Sequence, residues 1–157
     1  MKFLVTKDLQ HSKLLGTLMT GVCVALLFYL GLDVVLHGYL LGTDITEVST
    51  TLYGNVEEFV EPILLDSLLL QVHIDLFMSL FSIMIIASMY IRLFSTKPST
   101  KRLVHTLFTF GLAAPLALLI AYFTSVEFIY SWGVSFLFVH LLAMGMALAI
   151  IKKLLFK

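Results

Sequence analysis

Long apolar runs dominate the hydropathy pattern of the chain, and four of them are each long enough to cross a membrane. A helix of about 20 apolar residues spans a hydrocarbon core that is about 30 Å thick. We predict helices because the chain lacks the period-two alternation that marks membrane-spanning strands. The four predicted spans cover roughly residues 14–41, 63–94, 103–123 and 128–151.

The segment between the first two spans is polar, yet its apolar residues recur at helical spacing. Ile45, Val48 and Leu52 would share one face of a short helix. Thr43 is a candidate N-cap, and Gly54 is a candidate C-terminal stop. We therefore predict a short amphipathic helix on the outer membrane surface, with a role as a lid over a site below it as the alternative.

A second helical pattern follows this short helix. Asn55 with Glu58 three residues later matches a capping box. Val56 and Phe59 continue a helical stripe, and Pro62 is expected to kink or restart the helix where it enters the membrane. We therefore expect a helix from Asn55 that bends and runs on into the second span.

Charged residues divide the predicted loops into two sets. Every basic residue lies before the first span, in or beside the connection between the second and third, or after the fourth, whereas most acidic residues lie in or beside the other two loops. By the positive-inside rule, we expect both termini in the cytoplasm. The first apolar run is too long for a cleaved signal peptide, so we expect a retained signal anchor. The basic residues are Lys2, Lys7, Lys13, Arg92, Lys97, Lys101, Arg102, Lys152, Lys153 and Lys157.

The composition agrees with a single membrane domain. The 157 residues are 60% hydrophobic and 13% charged, whereas soluble domains carry about a quarter charged residues. The single cysteine, Cys23, excludes an internal disulfide, and no nucleic-acid-binding motif is present. We therefore predict an all-α integral membrane protein, an antiparallel four-helix bundle in a bacterial inner membrane. Its expected partners are the lipid bilayer and, in a homo-oligomer or a larger membrane complex, other membrane subunits.

Polar side chains interrupt the predicted spans near their outer ends. Asp33 and His37 share a face of the first span, and His73 and Asp75 lie in the second. At about 1.5 Å of rise per residue, these four lie at one level, and His140 of the fourth span lies about 10 Å deeper. No lysine or arginine occurs in the outer half. Because a bare carboxylate in the membrane is costly, we expect the aspartates and histidines to pair with one another.

The second predicted span presents two polar faces, because residues four apart share a face and residues two apart do not. We predict that His73 lies at the centre of a site and that Asp75 acts on it from the neighbouring face. Three acidic residues near the outer end would support the site or guide a ligand into it, namely Asp66, Glu61 and Glu58. The polar stripe on the other face consists of Ser67, Gln71, Asp75, Ser79 and Ser82.

Imidazole and carboxylate groups together favour Zn²⁺, Fe or Mn, so the leading hypothesis is a membrane site for a transition metal or metallocofactor. An accessory or proton-coupled transport subunit is the first alternative, because buried aspartate and histidine also form proton relays. A single b-type haem in an electron-transfer anchor is less favoured, because His37 and His73 match in depth but lie shallow, and His140 is offset from His73 by about 10 Å. The sequence contains no catalytic triad, phosphate loop or dithiol, so it indicates no catalytic residue. The candidate metal ligands are His73, His37, Asp33, Asp75 and His140.

Overall fold

The structure, a computed structural model, describes residues 13–156, which form five helices and no strand. Four of the helices are long and apolar enough to cross a membrane. They confirm the predicted all-α fold, with ends that differ from the predicted spans by a few residues. Lys2, Lys7, His11 and Lys157 lie outside the described residues. The helices are α1 (Lys13–Leu40), α2 (Ile45–Tyr53), α3 (Leu65–Phe94), α4 (Ser99–Phe123) and α5 (Glu127–Leu155).

The central helix of the bundle is α5. It packs along α4 and α1 and also contacts α3, while α1 and α3 contact each other only sparsely. Residues 95–98 join α3 to α4, and residues 124–126 join α4 to α5. Connections this short make neighbouring helices antiparallel, as predicted. The sparse contact between α1 and α3 leaves room at their interface for polar side chains.

Apolar side chains fill the inner half of the bundle, which is the half that ends in the basic residues. Leu107, Ile86 and Ile150 are fully enclosed there. Gly111 lets α4 approach α3 so closely that a Cβ at this position would overlap the Ile83 side chain. Small residues allow such close approach between helices, and the dispersion contacts that result hold the bundle together.

Basic side chains gather around one aromatic ring at the inner end. Lys153 donates a hydrogen bond to the carbonyl of Leu93, and its Nζ lies 4.6 Å from the centre of the Phe94 ring. The Nζ of Lys97 lies 5.0 Å from the centre of the same ring. These contacts bury the aliphatic stems while the charged groups stay at the end of the bundle, as is usual for lysine near a membrane interface.

The short outer helix α2 confirms the predicted amphipathic helix. Val48 and Leu52 are buried as expected, and Gly54 ends the helix with a positive φ of 77°. The N-cap is Asp44, not Thr43 as predicted, because the Asp44 Oδ1 accepts from the Glu47 N–H at 2.9 Å. The Glu47 carboxylate in turn accepts from the Thr43 N–H at 2.6 Å. The N-cap therefore lies one residue later than the sequence suggests.

The predicted helix from Asn55 is wrong. The backbones of Asn55 and Val60 pair with each other at 2.8 and 2.9 Å, and the Asn55 Oδ1 accepts from the Glu57 N–H at 3.0 Å. Asparagine often closes a local turn in this way, which competes with helix capping. Phe59 has a positive φ of 55° and does not continue a helical stripe. The next helix, α3, begins only at Leu65, after Pro62.

Hydrogen bonds fix α2 over the outer end of the bundle. The Tyr53 hydroxyl donates to the Ala121 carbonyl at 2.6 Å, and the Thr51 hydroxyl donates to the Leu41 carbonyl at 2.9 Å. The Ile63 N–H donates to the Thr51 carbonyl at 2.8 Å. Burial raises the pKa of the Tyr53 hydroxyl above its usual value.

Candidate metal centre

His37 joins α1 to α3. Its Nδ1 lies 2.9 Å from the carbonyl oxygen of Asp33, one turn earlier in α1. A carbonyl oxygen can only accept, so Nδ1 carries a proton and donates it. The other ring nitrogen, Nε2, lies 3.0 Å from the Asp75 Oδ2 on α3. The local helix thus orients the ring, and the contact with Asp75 crosses to the neighbouring helix.

His140 joins α5 to α1 in the same manner. Its Nδ1 lies 2.7 Å from the carbonyl oxygen of Phe136, and its Nε2 lies 2.9 Å from the Asp33 Oδ2. The sequence-based depth put His140 about 10 Å below the other polar residues. The structure nevertheless brings His140 into contact with Asp33, because Asp33 lies one turn further into the membrane than His37.

Gln71 completes this group, which we call the polar cluster and which consists of Asp33, His37, Gln71, Asp75 and His140. The Gln71 side-chain amide donates to the Asp75 Oδ1 at 2.8 Å. The same amide nitrogen lies 3.4 Å from the His37 Nε2. The Asp33 Oδ1 lies 3.6 Å from the His37 Nδ1, which connects the two histidine–aspartate pairs. The cluster therefore spans α1, α3 and α5.

The polar cluster is shielded from solvent by the bundle. His37 and His140 are only 2% and 4% exposed, and the side chains of Asp33 and Asp75 are 13% and 10% exposed. In the described part of the chain, histidine is the basic partner in every ion pair that these two carboxylates can form. The expected pairing of aspartate with histidine is therefore how the cluster offsets the cost of burying charge.

The hydrogen bonds also determine how many protons the cluster needs. Both nitrogens of His37 and of His140 lie within hydrogen-bond distance of an acceptor oxygen. Each Nδ1 holds its own proton, and each contact between an Nε2 and a carboxylate requires one more, on either the ring or the carboxyl group. With these protons in place, the two histidine–aspartate pairs together carry no net charge.

Three residues of the polar cluster form a group that could hold a metal ion. Asp33, His37 and Asp75 each offer one ligand atom, and these atoms all lie within 4.8 Å of one another. One imidazole and two carboxylates form a donor set that suits Zn²⁺, Fe²⁺ or Mn²⁺. His140 contacts the Asp33 carboxylate, and contacts of this kind orient the ligands of metal sites.

His73 does not belong to this group, so our preference for His73 at the centre of the site needs correction. Gln71 and Asp75 are four residues apart and face the bundle, whereas residue 73 lies on the opposite side of α3. His73 is exposed there, and its imidazole forms no hydrogen bond with any residue in the described part of the chain. His37 takes the central position instead.

The acidic residues predicted to support the site also lie elsewhere. Asp66, Glu61 and Glu58 are exposed, and the Asp66 Oδ1 accepts from the Ser67 N–H at 2.8 Å. Ser67, at the outer end of the predicted stripe, is exposed as well. The outer end of α3 thus packs Leu68 and Val72 into the core and leaves Asp66 and Ser67 exposed on its other side.

Ser79 and Ser82 extend the polar region inward from the cluster. Together with Asp33, His140 and Tyr29 they line a small cavity. The centre of a water molecule could occupy about 10 Å³ within it. This space holds about one water. The inner part of the predicted stripe on α3 thus faces the interface with α1 and α5, next to the Asp33–His140 contact.

An aromatic row on α5 was not predicted. Trp132, Phe136 and His140 follow one another at intervals of four residues, so their rings stack along one face of the helix. The Phe136 ring centre lies 5.6 Å from that of Trp132 and 4.2 Å from that of His140. It also lies 4.5 Å from the ring centre of His37. The interval of four was the available signal, but Trp132 alone suggested only a membrane-interface residue.

The fold and this cluster fit a multi-pass membrane protein with a buried histidine–carboxylate centre. Comparison of the chain with protein-family models, with curated proteins and with solved structures found no match in any of the three. The proposals that follow therefore rest on the contacts and chemistry of this chain.

Proposed function

We propose that this protein binds a divalent transition-metal ion, Zn²⁺, Fe²⁺ or Mn²⁺, at Asp33, His37 and Asp75. The observation that carries the proposal is the convergence of three ligand atoms within 4.8 Å, inside an apolar bundle. These ligands come from two helices that otherwise contact each other sparsely. A bound ion would therefore also tie α1 to α3.

Charge balance supports a divalent ion at this place. Two carboxylates and a neutral imidazole carry two negative charges, which one divalent ion offsets without any help from lysine or arginine. The His37 ring is oriented for this role, because its Nδ1–H donates to the Asp33 carbonyl and leaves Nε2 directed at Asp75. Metal-binding histidines commonly donate their second N–H to a carbonyl or carboxylate in this way.

A b-type haem is supported less well. A haem ligand needs an imidazole nitrogen directed at the iron, whereas the Nε2 atoms of His37 and His140 both contact aspartate carboxylates. His73 and His105 are exposed on α3 and α4. A haem site would require His37 or His140 to give up its contact with aspartate.

Metal binding is best measured on the full chain in detergent after treatment with a chelator. Titration with Zn²⁺, Mn²⁺ and Fe²⁺, followed by elemental analysis, is expected to give stoichiometric binding of at least one of them. His37→Gln and Asp75→Asn should abolish this binding, and His140→Gln should weaken it about 10- to 100-fold.

Two exposed residues of α3 provide matched controls. His73→Gln and Asp66→Asn make the same chemical changes outside the polar cluster, and binding should stay as in the unmodified protein. Absence of stoichiometric metal in the unmodified protein, or equal loss in the control variants, would contradict the proposal. A Soret absorption band in the purified protein would favour haem instead.

We further propose that the protein lies in a bacterial inner membrane with both termini in the cytoplasm and the polar cluster towards the outer face. The support is that every basic residue within residues 13–156 lies at one end of the bundle. Cysteine labelling in a Cys23→Ala background tests this orientation. Thr46→Cys on α2 should react with an impermeant maleimide in intact cells, whereas Ser95→Cys should react only after the membrane is opened. The reverse pattern would invert the topology.

A second candidate function, as a proton-coupled or accessory subunit, is favoured by the continuity of the polar contacts. Gln71, Asp75, His37, Asp33 and His140 form a connected string, which continues to the small cavity beside Ser79. Vesicles that contain the protein and an internal pH dye would report proton flux under a membrane potential. Flux that Asp33→Asn abolishes and Asp66→Asn leaves intact would favour this function; equal flux in protein-free vesicles would argue against it.

A further inference from the structure

A second cavity lies between α1, α2 and α5 at the outer end of the bundle. It has about 540 Å³ of space, and its lining includes His37, Val48, Trp132 and Phe136. Cavities that bind small molecules commonly have volumes of this order, with apolar and aromatic walls and few polar groups. The wall at His37 is shared with the polar cluster, whereas the α2 wall is separate from it.

Two glycines leave this cavity open. A Cβ added at Gly133 would meet no atom within 4 Å, and one added at Gly38 would meet only the Thr43 Cγ2 at 3.6 Å. Both glycines line the cavity. They differ from Gly111, where the missing side chain brings two helices together. Gly133 therefore provides space on α5, not a close contact between helices.

Trp132 lines the cavity and has a side-chain hydrogen-bond donor that no residue of the described chain uses. The residue is 6% exposed, and its indole N–H has no hydrogen-bond partner in the described part of the chain. Buried indole N–H groups usually find an acceptor. Within that part, the one fully enclosed side-chain polar atom without a partner is the Thr20 hydroxyl, so the indole nitrogen still has accessible surface. A ligand with an acceptor oxygen could satisfy it.

The charge and shape of the cavity lining restrict the class of ligand that fits there. No lysine or arginine lines the cavity, and Asp44 is at its edge, so an anionic ligand would be repelled. The rings of Trp132 and Phe136 stack at an angle of 29°, and both residues line the cavity, so its lining is partly aromatic. These features suit a neutral, planar molecule with carbonyl oxygens and an apolar tail that extends into the lipid.

We propose that this cavity binds a quinone-type ligand, with one carbonyl oxygen accepting from the Trp132 indole N–H. The ring would lie along the aromatic row of α5, beside His37. This site shares His37 with the proposed metal site but does not require a bound metal ion. Because His37 lines this cavity and also belongs to the polar cluster, the bound ligand would lie next to that cluster.

Trp132 is the only tryptophan of the chain, so its fluorescence reports on this cavity alone. Titration of the full chain in detergent with decylubiquinone should quench this fluorescence to saturation. Gly133→Leu fills open space and should weaken binding about tenfold or more without disturbing the fold. Gly145→Leu is the matched control, because a Cβ there also meets no atom within 4 Å and residue 145 lies on an exposed face of the same helix.

A second variant tests the hydrogen bond separately from the space. In Trp132→Phe, equilibrium dialysis of decylubiquinone should show binding that is about fivefold weaker, as expected for the loss of one hydrogen bond. Quenching that does not saturate, or that is equal in Gly133→Leu and Gly145→Leu, would overturn the proposal. Quenching by a brominated phosphatidylglycerol that decylubiquinone cannot displace would also overturn it, and would identify a lipid as the occupant.

Discussion

The outer and inner halves of the bundle are held together differently. In the outer half, α1 meets α3 and α5 through hydrogen bonds among Asp33, His37, Asp75 and His140, and two cavities remain between the helices. In the inner half, enclosed apolar side chains fill the interior and Gly111 brings α4 against Ile83. The inner half therefore supplies packing, whereas the outer half has the space and the polar groups that binding requires.

The histidines show how the outer and inner halves of the bundle differ. The Nδ1 of His37, of His140 and of His105 lies 2.9, 2.7 and 2.9 Å from the carbonyl oxygen four residues earlier. This bond is local to each helix and is the same in all three. The Nε2 of the first two contacts a carboxylate of another helix, whereas His105 is exposed. The function of each histidine thus depends on what lies opposite its second nitrogen.

The largest expected effect comes from removing Asp33, which contacts both buried histidines. Asp33→Ala should lower the free energy of unfolding by about 3–5 kcal/mol, because it leaves buried partners without their carboxylate. Unfolding by sodium dodecyl sulfate in mixed micelles, followed by Trp132 fluorescence, measures this change. Asp66→Ala on the exposed side of α3 should change it little.

A double-mutant cycle separates the His140 contact from the other effects of this substitution. Comparison of Asp33→Ala, His140→Ala and the variant with both substitutions should give a coupling free energy of about 0.5–3 kcal/mol. Additive effects of the two substitutions would mean that the 2.9 Å contact between Nε2 and Oδ2 does not stabilise the outer half. The proposed difference between the halves would then fail.

An intermediate effect is expected from overpacking the inner half. Gly111→Leu places a side chain where Ile83 already lies, and overpacking of this kind costs about 1–3 kcal/mol. The same unfolding measurement should detect it, and metal binding should persist, although Ile83 also lines the small cavity beside Asp33 and His140. Gly145→Leu adds the same side chain to an exposed face and should leave stability unchanged. Loss of metal binding in Gly111→Leu would show that the two halves do not act independently.

The length and composition of the apolar runs were sufficient to predict the four long helices. Membrane-spanning segments must satisfy their backbone hydrogen bonds internally, so local sequence determines them strongly. The outer loop was harder, because two capping signals competed within a few residues. Asp44 took the N-cap position expected for Thr43, and Asn55 closed a turn where a helix was predicted.

The sequence also contained the residue types of the polar cluster, but not their partners. Asp33 and His37 could be paired from their spacing, since residues four apart share a helix face. The choice between the two faces of α3 depends on how far that helix is rotated against α5, which is a tertiary property. His73 was therefore preferred over His37 for the centre, although it is exposed. Depth alone likewise missed the contact between Asp33 and His140.

The smallest expected effect concerns the hydrogen bond that fixes α2 above the cavity. Tyr53→Phe removes the donor to the Ala121 carbonyl, so it should cost about 1 kcal/mol. Val48 and Leu52 remain buried in this variant, so α2 should stay helical but detach more often. Hydrogen exchange is the suitable measurement, because it detects local opening that global unfolding does not.

The exchange pattern would then sharpen the comparison between the halves. In Tyr53→Phe, amides of α2 should exchange about fivefold faster, which corresponds to about 1 kcal/mol, whereas amides around Leu107 in the inner half should be unchanged. Tyr130→Phe is the control, because Tyr130 is exposed on α5 and its hydroxyl forms no hydrogen bond in the described part of the chain. Faster exchange in both helices would show that the outer loop stabilises the whole bundle. Faster exchange in α2 alone would mean that α2 detaches from the cavity between α1, α2 and α5 while the inner half of the bundle stays folded.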